Sequence, residues 1–123
     1  MPVRSLTSSV LIWPDAKTVD RAVRAWAEQL LSQKPEVLRI GYFGSYARGD
    51  WGVGSDLDLI LIVTQSEEEP FERRSIEWDV TSLPVPAEIL IYTIAEWEAL
   101  TAQNRFKQAI LAETIWVYEQ HGK

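Results

Sequence analysis

The 123-residue sequence predicts a single α/β or α+β layer domain. Two observations carry this expectation. Stretches of helical period alternate with short apolar runs of strand length along the chain. The length suffices for one hydrophobic core and falls short of two ordinary domains. Residues 14–118 are the expected core, with 1–13 as an N-terminal extension and 119–123 as a tail.

Residues 15–34 are expected to form a helix. Val19, Ala22, Val23, Trp26, Ala27, Leu30 and Leu31 recur at the spacing of one helical face, Pro14 and Asp15 give a start signal, and Pro35 a stop. EVLRIGYF, 36–43, follows as a strand. Residues 44–55 are glycine-rich and polar and read as a loop, with room for one helical turn at Ser45–Arg48. LDLILIV, 57–63, is nearly all apolar, which places it as a central strand covered on both faces. QSEEEPFERR reads as a solvated connection that includes Arg73 and Arg74. Around Glu72–Val80 the pattern is open between helix and strand, and LPVP at 83–86 is a break. AEILIYT, 87–93, is a third strand. IAEWEALTAQ is a helix with Thr93 as N-cap and Glu96 as its capping-box partner. Arg105–Glu113 is another helix and IWVYE a short last strand.

The net charge of −6 argues against an electrostatic grip on nucleic acid. The absence of cysteine removes disulfides and thiolate metal sites and fits a cytoplasmic protein. The apolar run Val10 to Trp13 is too short for a signal segment or a membrane span.

The chemistry concentrates in GSYARGDWGVGSDLDLILIV, Gly44 to Val63. Residues two apart in a strand share a face, so Asp56 and Asp58 project together, their Cα atoms about 6–7 Å apart. Leu57 and Leu59 point the other way. Like charges near an apolar sheet repel and lose solvation, which water or a cation between them relieves. Gly44 allows a tight turn whose amides can face an anion. The Ser45 hydroxyl adds a donor, and Arg48 adds a fixed charge suited either to phosphate or to pairing with Asp50. Carboxylates bind magnesium, and magnesium binds phosphates. The combination reads as a nucleoside triphosphate site.

Gly44-Ser45, ten residues, then Asp56-Leu57-Asp58 resembles the signature of the polymerase-beta nucleotidyltransferase superfamily. The short length resembles its minimal nucleotidyltransferases (MNT). The resemblance implies a polymerase-beta-like fold, a mixed central sheet flanked by helices. It implies Gly44 and Ser45 in the triphosphate turn, and Asp56 and Asp58 as ligands of two Mg2+ ions, with Mn2+ as a substitute. It implies ATP as the substrate and transfer of AMP to a hydroxyl.

The family's third acid, most often Asp, enters a later apolar strand. Glu88 in PAEILIYT matches that position, as a further metal ligand or as general base, and is one methylene longer than Asp. Asp79 is the alternative, but it precedes a break. Trp51 either stacks on a base or a partner or closes over the core. The other tryptophans are read as packing, and His121, in the tail, has no assigned role.

With no room for an acceptor domain, the acceptor is expected on another chain. In the family, the partner of a minimal nucleotidyltransferase is a small helical HEPN protein from an adjacent gene, often an RNase toxin. The resemblance implies an antitoxin that places AMP on a tyrosine of that partner. A binding-only antitoxin and a small-molecule nucleotidyltransferase are the alternatives, and a homo-oligomer is compatible with each.

Overall fold

The computed structural model describes residues 13–65 and 78–120. Its elements run α1 (Ala16–Gln33), β1 (Val37–Phe43), α2 (Ser45–Arg48), β2 (Leu57–Val63), β3 (Ala87–Thr93), α3 (Ile94–Ala99), α4 (Arg105–Glu113) and β4 (Ile115–Glu119). One sheet has the order β3-β2-β1-β4. β1 pairs antiparallel with β2 and β4, while β2 and β3 run parallel, so the sheet is mixed. The charged connection after Gln65, Arg73, Arg74 and His121 lie outside the described residues.

Alternation along β2 divides the core in two. Leu57, Leu59, Leu61 and Val63 face one side, where Val19, Val23, Trp26 and Leu30 of α1 cover them. Ile60 and Ile62 face the other, where Trp97 of α3 and Ile110 of α4 meet them. Covered on both faces and paired on both edges, β2 is the central strand its composition implies. Ile60 is fully buried. Ile60→Ala is expected to cost about 3 kcal/mol of unfolding free energy. Urea denaturation checks this, and a loss well under 1 kcal/mol would mean that α3 and α4 do not close this half of the core.

The helix signals operate as expected. Asp15 caps α1, its Oδ1 accepting from the Thr18 amide at 2.9 Å. Thr93 and Glu96 form a reciprocal capping box on α3. One length needs correction: the helix expected over 94–103 ends at Ala99. Leu100 is extended, and Lys107 Nζ donates to the carbonyls of Trp97 at 3.2 Å and Leu100 at 3.0 Å at the helix end. Breaking the helix there lets α3 and α4 both reach the Ile60 face.

The tryptophans pack. Trp26, Trp78 and Trp97 are buried, and Trp13 Nε1 donates to the Tyr46 hydroxyl at 2.7 Å. No helix among the described residues is long and apolar enough to cross a membrane.

Candidate active site

β1 ends at Phe43, and the chain turns sharply at Gly44 (φ 81°, ψ −153°), a backbone region that only glycine enters without strain. A side chain would also not fit. A Cβ on Gly44 would stand 2.3 Å from Asp58 Oδ2. The turn therefore passes directly over the aspartate, and glycine is what lets it do so. One helical turn, α2, follows and closes at Gly49 in the left-handed region.

Asp58 is the second residue of β2, paired with Phe43 on one side and with Glu88 of β3 on the other. Neighbouring strands lie about 4.8 Å apart, and paired residues of a parallel ladder share a face, so Asp58 and Glu88 stand side by side. Asp56 precedes the strand and is exposed; Asp58 is half-buried. Burial pushes the Asp58 carboxyl above the ordinary carboxylate range, and the charges of Glu88, Asp56 and Glu113 push the same way. Arg48 alone pulls it down.

An open cleft of about 520 Å³ lies along these residues. Gly44, Ser45, Arg48, Asp56 and Asp58 form its polar wall, and Phe43, Phe106 and Ile110 its apolar one. Phe43 and Phe106 meet edge to face at 6.5 Å. Five of the six residues singled out from the sequence line this one cleft. Glu88 does not line it; it sits beside Asp58 on the neighbouring strand, over a hollow with Trp78, Val80 and Ile89. Among the described residues, no three acidic or histidine side chains are grouped closely enough to hold a metal ion by themselves.

Residues 24–117 of the chain match a family model described as a nucleotidyltransferase domain. The chain belongs to that family. Solved structures agree with the nucleotidyltransferase fold. A protein of Sulfolobus solfataricus described as a nucleotidyltransferase superimposes with a TM-score of 0.61 at 15% identity, covering 85% of this chain and 84% of that one. A toxin-antitoxin structure with AMP-PNP superimposes at 0.57 and 15% identity, covering 79% and 73%. A mutant of the toxin-antitoxin pair MntA-HpeT superimposes at 0.54 and 12% identity, with the same coverage. No curated protein sequence matches the chain.

Within the nucleotidyltransferase frame, several residues now have definite places. Arg48 pairs with Asp50 at 3.2 Å and also reaches Glu113 at 3.4 Å. Trp51 stacks on Tyr46, centroids 5.5 Å apart and rings 10° from parallel, and closes over the core as one of its two expected roles required. Asp79 spends its carboxylate on its own turn, accepting from the Thr81 amide at 2.9 Å and hydroxyl at 2.6 Å.

Glu113 was missed by the sequence reading. It ends α4, and its Oε2 accepts from the Gly44 amide at 2.8 Å. The available signal was its position at the end of the Phe106–Ile110 face, where a charge continues an apolar stripe.

Proposed function

We propose that this nucleotidyltransferase moves AMP from ATP to a hydroxyl of a partner protein and serves as the antitoxin of a toxin-antitoxin pair. The observation that carries the reading is the joining, in one cleft, of the Gly44-Ser45 turn with the Asp56–Asp58 pair.

The donor set fits a hard divalent cation. Asp56 and Asp58 offer carboxylate oxygens, and Asp58, raised first by burial and then by the charges of Glu88 and Asp56, stands where a cation would relieve its charge. Asp56 and Asp58 would hold Mg2+, with the nucleotide's phosphates completing its ligands, as magnesium sites built on few carboxylates do. When bound, Mg2+ supplies charge neutralisation for the phosphates and acidity for the attacking hydroxyl.

The protein's own groups do the rest. Ser45 and the turn hold the β- and γ-phosphates, with Arg48 contributing charge. The acceptor oxygen forms a bond to the α-phosphorus, the α–β anhydride bond breaks, and pyrophosphate leaves. Glu88, in register with Asp58, receives the hydroxyl proton directly or through water. The apolar wall of Phe43 and Phe106 offers the base a face.

We place the acceptor on a second chain. We assign it to a tyrosine of a small helical HEPN-type toxin. The likeness of the fold to two toxin-antitoxin structures, one with AMP-PNP, supports a toxin as the partner.

The test is a transfer reaction. The protein is incubated with Mg2+, ATP and the product of the adjacent gene, and the partner is weighed intact. One or more AMP units are expected on the partner. Glu88→Gln is expected to slow transfer by a factor on the order of a hundred or more while leaving ATP affinity nearly unchanged. No mass gain with any nucleotide would refute the transferase reading, and an unslowed Gln variant would remove Glu88 from the reaction.

A further inference from the structure

The turn assigned to the triphosphate already holds an anion. Glu113 Oε2 accepts from the Gly44 amide at 2.8 Å and faces Arg48 Nη1 at 3.4 Å. These donors belong to the same wall of the cleft that the reading above gives to phosphate. The carboxylate comes from far along the chain and is not delivered by a loose loop. Glu113 terminates α4, whose Ile110 is 2% exposed against Ile60 and Ile62. Only a quarter of its own side chain is exposed.

One amide proton cannot serve two anions at full strength, and a carboxylate beside a phosphate repels it. Arg48 divides its guanidinium between Asp50 and Glu113 and would be freed on one side if Glu113 withdrew. The cleft is open, so a displaced carboxylate can reach water.

We propose that Glu113 is an internal competitor for the triphosphate turn, which a nucleotide must displace in order to bind. The contact keeps the turn closed to single weak anions and yields to a polyphosphate accompanied by a divalent cation. It sets the affinity for the substrate without touching the reacting atoms. The inference rests on the nucleotide reading and adds a specificity-determining residue to it.

Calorimetric titration of the full chain with Mg-ATP, and separately with inorganic tripolyphosphate, tests it. Glu113→Gln keeps an oxygen for the Gly44 amide and removes the charge. It is expected to bind both ligands on the order of tenfold more tightly than the wild type. Ser45→Ala serves as the control for the reading itself and is expected to bind more weakly. Weakened Ser45→Ala with unchanged Glu113→Gln would overturn the competitor alone. Equal binding by all three proteins, or none, would overturn the nucleotide reading and the competitor with it. A second measurement needs no variant. In the labelled wild-type protein, the Gly44 amide and the Glu113 side-chain carboxyl signals are expected to move together as Mg-ATP is added, and a Glu113 signal that stays in place at saturation would overturn the proposal.

Discussion

Asp58→Asn is expected to remove most nucleotidyl transfer and, at neutral pH, to make the protein harder to unfold. The two effects have one origin. Asp58 lies half-buried beside Glu88 and near Asp56 and Glu113, and both burial and repulsion oppose its charge. A carboxyl whose folded pKa is raised contributes most to stability when protonated. That contribution is present below the unfolded value near 4 and is lost as pH rises through the elevated folded value. Wild-type stability therefore carries a penalty at neutral pH that the Asn variant lacks. The loss of transfer should be on the order of a hundred- to a thousandfold, the scale of removing a preorganised charged group from a reacting centre. Thermal unfolding at acid and neutral pH, run with and without Mg2+, separates the terms. The wild type should gain stability from Mg2+ and the Asn variant should not. An Asn variant less stable than wild type at neutral pH would mean that Asp58 has a stabilising partner, contrary to its surroundings.

Gly44→Ala is expected to damage both the fold and the site. The φ of 81° with ψ of −153° lies where an alanine is strained, a cost of about 1–3 kcal/mol. The added methyl would also meet Asp58 Oδ2 at 2.3 Å, and the carboxylate must move aside. Transfer should fall further than the stability loss alone would produce, because the displaced group is one that would hold Mg2+. A double-mutant cycle with Asp58→Ala resolves the two causes. Without the Asp58 carboxylate the steric part disappears and only the backbone strain remains. Equal costs in both backgrounds would show that Gly44 and Asp58 do not press on each other.

The parts of this molecule that were legible in the sequence are those written locally. Gly44, Ser45, Asp56 and Asp58 fall within fifteen residues, and the turn and the β2 alternation that bring them together are local rules. Glu88 could be placed because it opens an apolar strand as Asp58 does, and their register confirms the pairing. Glu113 could not be found this way. An acid at a helix end ordinarily reads as a solvated charge, and only the packing of Ile110 on Ile60 and Ile62 delivers it to Gly44, 69 residues away. The overlong helix at 94–103 failed for a related reason. Its residues favour helix, but the need of α4 to return to the same sheet face ends it at Ala99.

The sheet order has a kinetic meaning. β1, α2 and β2 are consecutive, and their antiparallel pairing closes a short loop that carries the glycine turn and both aspartates. The pairing of β2 with β3 requires a parallel crossover, and the Gly44–Glu113 bond spans 69 residues. Loop-closure entropy rises with length and contacts between distant residues form slowly, so the local half should assemble first. On the proposed function, the site is thus built from its phosphate-binding half toward its proton-accepting half. A chain folded only as far as β2 would then hold the residues for a phosphate and its cation, and not yet the carboxylate proposed to deprotonate an acceptor or the one proposed to guard the turn.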